Sequence, residues 1–144
     1  MQSVALSPGP PLQAVKSLLA SANLPSSDLT ESHRPDFYYA GDADAPTGLV
    51  GLEIFGEVAL LRSLVVGEAQ RGQGLGARLL RHAEAQARAQ GVRRMFLLTT
   101  TAAPFFARHG YSHAAREAAP PAIRATSEFT GLCPATATFM TRTL

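Results

Sequence analysis

Residues 64–76 read Leu64-Val65-Val66-Gly67-Glu68-Ala69-Gln70-Arg71-Gly72-Gln73-Gly74-Leu75-Gly76. An apolar, β-branched run gives way to a glycine-rich loop. From there to about Gln90, Leu75, Leu79, Ala83 and Ala87 recur at helical spacing, while Arg78, Arg81 and Arg88 fall on another side. The pattern predicts strand, loop and helix. Backbone N–H groups in such a loop, with the helix N-terminus behind them, form an anion site. Glycines let the backbone approach a phosphate with no side chain in the way. The physical reading is a pyrophosphate-binding turn, with a purely structural helix start as the alternative.

Upstream lies a hairpin. Leu49 to Phe55 and Val58 to Val66 are apolar runs joined by Gly56 and Glu57, and glycine at the first turn position suits a two-residue connection. That turn pairs Phe55 with Val58, Glu53 with Leu60 and Gly51 with Arg62. One face carries Val50, Leu52, Ile54, Ala59, Leu61, Ser63 and Val65. The other carries Glu53 and Arg62 among apolar neighbours, and two opposite charges there are costly unless paired or used.

Further out, Gln2 to Leu6 reads as a short strand, 11–22 as a helix through Leu12, Val15, Leu18 and Leu19, and 26–33 as a short second helix capped by Ser26 or Ser27. Asp36 to Ala40 reads as a strand, followed by a turn cluster from Gly41 to Pro46. Downstream, Arg94 to Thr99 is a strand and Ala102 to Arg108 a short helix ending at Gly110. Tyr111 to Arg116 is β-prone, Pro120 and Pro121 open a short helical piece, and Ala135 to Thr143 is a last β-prone run.

The 144 residues, 46% apolar and 17% charged, amount to a single domain, 1–144, with one core. No apolar run approaches the roughly 20 residues that span a bilayer. The N-terminus has no basic segment leading into an apolar stretch, so no signal peptide is read and a cytoplasmic setting is the default. The single cysteine, Cys133, excludes an internal disulfide framework and a multi-cysteine zinc site, and reads as a packed thiol. The net charge of +2 hides an asymmetry. Residues 1–57 hold Lys16 and Arg34 against seven acidic residues, whereas 58–116 hold nine arginines against Glu68 and Glu84. The arginine-rich middle suggests an anionic ligand, a phosphorylated cofactor or nucleic acid, unless it reflects genomic composition. Because the arginines coincide with the glycine loop and its helix, nucleic acid is the weaker reading.

Three pyrophosphate motifs compete for the loop. A P-loop needs Gly-Lys-Ser/Thr, and no lysine lies nearby. Gly72, Gly74 and Ala77 fit a dinucleotide fingerprint, but Thr99 to Thr101 occupy the region where its acidic ribose ligand belongs. The third fits best. Arg71-Gly72-Gln73-Gly74-Leu75-Gly76 resembles the acetyl-CoA signature of the GNAT acetyltransferases, R/Q-x-x-G-x-G/A. The resemblance takes in the Leu64-Val65-Val66 strand, the following helix and Phe105-Phe106-Ala107-Arg108-His109-Gly110-Tyr111. Arg62-Ser63, Leu97-Leu98-Thr99-Thr100-Thr101-Ala102, Pro121-Ala122-Ile123-Arg124-Ala125-Thr126 and Leu132-Cys133-Pro134 are similar to N-acetyltransferases associated with arsenic resistance. The Leu-Thr-Thr stretch is also similar to amino-acid N-acetyltransferase domains.

The resemblance implies an α/β (α+β) GNAT fold: a mostly antiparallel sheet of about six to seven strands, splayed at the cofactor strand, with helices on both faces. It implies an N-acetyltransferase that moves acetyl from acetyl-CoA to a small amino-acid-like amine by direct attack, with no metal. Leu64, Val65 and Val66 would line the pantetheine arm, Arg71, Gly72, Gln73, Gly74, Leu75 and Gly76 would hold pyrophosphate, and Thr99 and Phe106 would border the cofactor. Val66 N–H would polarise the thioester carbonyl. Glu53 is the candidate base, and Arg62 and Arg124 are candidates for the acceptor, Arg62 through a bidentate pair with a carboxylate. A plain Glu53–Arg62 ion pair is the alternative, and Thr99 to Thr101 could instead cap the next helix. Thr126 could fold over the acceptor. Phe106 stands where many relatives carry a tyrosine acid, so no general acid is named; Tyr111 reads as core. His82 reads as solvated, and His109 and His113 as turn residues that could touch substrate. The partners expected are acetyl-CoA and a small amine, with neither nucleic acid nor membrane, and a homodimer stays open. A non-catalytic acetyl-CoA or amino-acid sensor is the rival reading.

Overall fold

The computed structural model describes residues 6–24, 26–30, 35–132 and 136–144. The elements are β1 (Leu6–Pro8), α1 (Leu12–Ser21), β2 (Asp36–Asp42), β3 (Ala45–Phe55), β4 (Val58–Val66), α2 (Leu75–Ala89), β5 (Arg94–Thr99), α3 (Ala103–Arg108), β6 (Ser112–His113), α4 (Pro121–Arg124) and β7 (Thr138–Thr143). They form a seven-stranded sheet in the order β1-β2-β3-β4-β5-β7-β6. All neighbouring pairs are antiparallel except β4 and β5. Among the described residues no helix is long and apolar enough to cross a membrane.

The β3–β4 register is the one the Gly56-Glu57 turn dictates: Phe55 faces Val58, Glu53 faces Leu60 and Gly51 faces Arg62. Gly56 takes the left-handed backbone, at φ 65°, that such a turn requires. Past Arg62 the register slips. Leu49 faces Val65, so Ser63 and Leu64 together oppose Val50. This one-residue bulge reverses the facing of the strand end. Val65 therefore does not share a face with Val50 and Leu52. It packs with Leu49, Phe37, Val15 and Leu19, while Leu64 and Val66 turn toward the opposite layer.

Two layers cover the sheet. On one face Val50, Leu52, Ala59, Leu61, Met95 and Leu97 lie under the buried stripe of α2 and under Phe106 of α3. On the other, α1 and Leu29 cover Phe37, Leu49 and Val65, and Ile123 of α4 covers Leu60, Phe96 and Phe139. Burying each large apolar side chain contributes about 1.5–3 kcal/mol. The α2 stripe is wider than the predicted one, since Leu80 and Glu84 are buried as well.

Several boundaries differ from expectation. Within 26–30, Ser27 and Asp28 form a turn rather than a helix, closed by Leu29 N–H donating to Ser26 O; 31–34 lie outside the described residues. β3 starts at Ala45, because the β2–β3 turn needs only residues 43 and 44 and proline is tolerated at a strand start. The strand expected over 111–116 shrinks to Ser112–His113. Residues 2–5 of the first predicted strand and residue 135 of the last lie outside the described residues.

Gly51 shows how tightly the second face is fitted. A Cβ placed there would lie 2.8 Å from the Phe37 ring and 3.2 Å from Arg62 Cγ. Gly51→Ala is expected to destabilise the fold by about 1–3 kcal/mol through overpacking, read as a lower urea midpoint with unchanged slope. An unchanged midpoint would show that the ring can move aside.

Candidate functional site

β4 and β5 pair only from Val58 with Arg94 to Leu60 with Phe96. Beyond that point β5 stays bonded to β7, through Thr99 with Thr138, while β4 bends away at its bulge. The divergence opens a cleft of about 510 Å³, lined by Leu61 to Leu64 of β4, Leu97 to Thr101, Phe105 and Phe106 of α3, Asn23, Leu24 and Glu128. One wall of this cleft is a strand edge. Gly67 N–H donates to Thr47 O across the β3 ladder. Strand alternation then turns Val65 toward β3 and leaves the N–H groups of Val66 and Leu64 facing the open side.

At the mouth the chain makes a short 3₁₀ turn (Glu68–Gln70) and then the glycine loop. Gly72 and Gly74 adopt φ of 80° and 79°, with nothing within 4 Å of a Cβ at either. Gly74 is the N-cap of α2 and offers no side-chain bond to the helix's first N–H groups. The head of a 15-residue helix thus presents donors beside bare backbone. Arg71 Nε donates to Val66 O (3.4 Å) and Gln73 Nε2 to Ala69 O (3.4 Å), which closes the loop on itself.

The inner end is built around Arg62, whose side chain is fully buried. Its guanidinium forks onto Asp28, with Nη1 at 2.6 Å and Nη2 at 3.0 Å from the two carboxylate oxygens. Nη1 also donates to Glu53 Oε2 (3.2 Å), and Nε lies 3.7 Å from Glu128 Oε1 and donates to Ser63 Oγ (3.2 Å). Burial pulls the guanidinium pKa down, but the Asp28 hydrogen bond and the charges of Glu128, Asp28 and Glu53 outweigh that and hold it above its ordinary value. The cation is permanent.

The structure therefore brings Leu64, Arg62, Thr99 and Phe106 to the cleft, with Val66 and residues 71–76 at its mouth. It does not bring the side chains of Val65 and Leu75, which are buried in the core. Glu53 sits behind Arg62 and is not on the cleft wall; Glu128 is. Arg62 keeps its fork on Asp28 rather than free for a ligand. Arg124 turns away, donating to the carbonyls of Ala119 and Glu117. Thr99 Oγ1 accepts from Ala102 N–H (3.0 Å), so it both caps α3 and borders the cleft. Thr126 is buried, bonded to Ile123 O and Phe129 N–H. His82 stacks edge-on against Tyr38, and burial lowers its pKa. His109 packs on Phe105 and His113 is an exposed β6 residue. Cys133 lies outside the described residues. Asp28 and Glu128 escaped sequence reasoning, because their partner Arg62 is 34 residues away for Asp28 and still further along the chain for Glu128.

Tyr111 is far from being a proton donor to the cleft. Its hydroxyl donates to Glu84 Oε2 (2.8 Å), whose other oxygen takes Arg142 Nη1 (2.8 Å). Burial, then the Glu84 charge and hydrogen bond, raise its pKa far above the ordinary 10.0. Among the described residues no group of three or more His, Cys, Asp or Glu is placed to hold a metal ion.

The sequence signature of the acetyltransferase (GNAT) family matches residues 12–111, and the chain belongs to that family. Over 57 residues it is 44% identical to an amino-acid acetyltransferase from Ralstonia nicotianae, a match that takes in 40% of this chain and only 13% of that protein. Its fold is shared with N-acetylglutamate synthase from Neisseria gonorrhoeae, solved with coenzyme A and N-acetyl-glutamate (TM-score 0.80, 22% identity, 99% of this chain and 36% of that one). It is shared too with a GNAT-family acetyltransferase from Staphylococcus aureus Mu50 (TM-score 0.72, 15% identity, 97% and 99%).

Two expectations follow from these ion pairs. Arg62→Met leaves three buried carboxylates without their cation and is expected to cost about 3–5 kcal/mol in urea unfolding; a loss below about 1 kcal/mol would show the cluster to be solvated. The raised Tyr111 pKa gives stability that is full below pH 10.0, where the unfolded phenol is also protonated, and is lost as pH rises beyond it. Tyr111→Phe should flatten that alkaline decline in Tm, and an unaltered decline would remove Tyr111 as its source.

Proposed function

We propose that this chain is an acetyl-CoA-dependent N-acetyltransferase for a small, amino-acid-like amine. The observation that carries the reading is the parting of β4 from β5, which leaves an unpaired strand edge running from the glycine loop into the cleft. Such an edge suits an extended arm with amide groups. The bare backbone at Gly72 and Gly74 and the uncapped head of α2 suit a pyrophosphate. Arg71, Gly72, Gln73, Gly74 and Gly76 are assigned to it, with Leu75 contributing only main chain.

Acetyl-CoA, when bound, supplies the activated thioester. The chain's own part is to orient it and to handle charge and protons. In our reading Val66 N–H, beside the loop, meets the arm, and Leu64 N–H, inside the cleft, meets the thioester oxygen. This moves the polarising role expected of Val66 two residues deeper. The neutral amine attacks the carbonyl carbon, the C–N bond forms as the C–S bond breaks, and the sulfur leaves as thiolate. Glu128, as the carboxylate on the cleft wall, takes the base role first given to Glu53, while Glu53 and Asp28 hold Arg62. Three carboxylates around one guanidinium favour an approaching ammonium. With Phe106 lacking a hydroxyl, water or the newly formed ammonium protonates the thiolate. The amino-acid acetyltransferase and N-acetylglutamate synthase relatives support an amino-acid-like acceptor; arsenic-bearing analogues are the finer version. Homodimerisation and a cytoplasmic setting belong to the same proposal.

The test is CoA-thiol release from acetyl-CoA with pooled amino acids, glutamate analogues and arsenic-bearing amino acids, alongside Gly74→Glu. The variant sets a carboxylate at the loop where there is open space, so binding of acetyl-CoA should be abolished with the circular dichroism spectrum intact. Unchanged affinity would remove the loop from the cofactor site. Tight binding by the native protein without turnover on any pool would favour a sensor, which the phenylalanine at position 106 makes the second reading.

A further inference from the structure

Ser63 is a conformational anomaly that sits at the β4 bulge. Among the described non-glycine residues, only Asn23 and Ser63 have positive φ. Asn23 ends α1, where Leu24 N–H returns to Leu19 O, a position at which asparagine commonly adopts this backbone. Ser63, at φ 59°, lies inside a strand, where a glycine would be free of strain. Strain of this kind persists where the surroundings over-determine it. The bulge it creates sets Ser63 on the cleft wall next to Leu64.

Its hydroxyl is also oriented. Ser63 Oγ accepts from Arg62 Nε at 3.2 Å. A hydroxyl has one proton, and accepting from a cation directs that proton elsewhere and makes it a stronger donor. Among the described residues the hydroxyl proton has no protein acceptor. Arg62 in turn cannot swing away, because Asp28, Glu53 and Glu128 surround its other edges. The result is a preorganised donor, backed by a fixed charge and adjacent in the chain to an N–H that faces the same space.

We propose that the Ser63 hydroxyl donates a hydrogen bond to the thioester carbonyl oxygen of acetyl-CoA, beside the Leu64 N–H. The inference rests on the cofactor reading above. Ser63 transfers no proton. It stabilises the negative charge that grows on that oxygen while the neutral amine's nitrogen bonds to carbon and the C–S bond breaks; the excess proton on nitrogen then passes to the departing thiolate, directly or through water. Preorganised donors of this type act without reorganisation during the reaction.

Ser63→Gly tests this, since it removes the hydroxyl and the backbone strain together. The full-length chain is loaded with acetyl-CoA labelled with ¹³C at the carbonyl, and the C=O stretch is read by infrared difference spectroscopy. The native protein should shift the stretch below its value for free acetyl-CoA. Ser63→Gly should return it toward the free value and lower kcat on the order of 10²-fold, while Tm rises. Ser63→Ala should reproduce the spectroscopic and kinetic losses without the gain in Tm. An identical stretch and kcat in the native protein and Ser63→Gly, with acetyl-CoA bound to both, would overturn the role of Ser63 alone. Failure of the native protein to bind acetyl-CoA would overturn the cofactor reading and this inference with it.

Discussion

A guanidinium buried without anions would cost several kcal/mol, and β4 places one, Arg62, beneath the layer that covers the second face of the sheet. That demand organises much of what surrounds it. Asp28 arrives from the turn after α1, Glu53 from β3 and Glu128 from the turn after α4. The segments that supply the first and last of these also supply Asn23, Leu24 and Glu128 to the cleft wall. Satisfying one cation therefore sets the shape of the inner end of the cavity. It also leaves that end with more negative than positive charge.

The fold was legible where a feature is local. A two-residue turn fixes the register of Phe55 with Val58 down to Gly51 with Arg62, and helical spacing fixes α2. The glycine loop announces itself through residue type, because Gly72 and Gly74 take the positive φ that glycine adopts without strain. Reading stopped where position depends on distant partners. The bulge at Ser63 and Leu64 carries no glycine or proline to signal it, so the facing of Val65 came out reversed. Glu84 sits on the α2 face as a buried acid only because Tyr111 and Arg142, 27 and 58 residues away, meet it there. Glu53 and Arg62 were seen as a pair, but Asp28 and Glu128 complete a cluster that no spacing rule connects.

The arginine surplus of residues 58–116 also resolves into separate uses. Arg62 is neutralised inside the protein. Arg94 and Arg116 lie over the rings of Phe96 and Phe129, and Arg93 faces Glu57 in solvent, a pairing worth little. Arg71 folds back on the Val66 carbonyl at the loop. At these five of the nine arginines the charge is thus spread over packing, ion pairing and the loop, while Arg78, Arg81 and Arg88 share one side of α2.

An unpaired strand edge ordinarily invites other chains, and proteins guard such edges with charge, proline or short length. The stretch of β4 beyond Leu60 carries one inward-pointing charge, Arg62, and the bulge beside it, but no proline. Its further protection is its address, since the edge opens inward, between two strands of its own sheet, with α3 along one wall. A neighbouring molecule cannot lay a folded edge against it, whereas a thin, extended small molecule can thread the gap. Edge protection and ligand selection are met by the same geometry: backbone groups that another folded chain could pair with are open only to thin or small molecules.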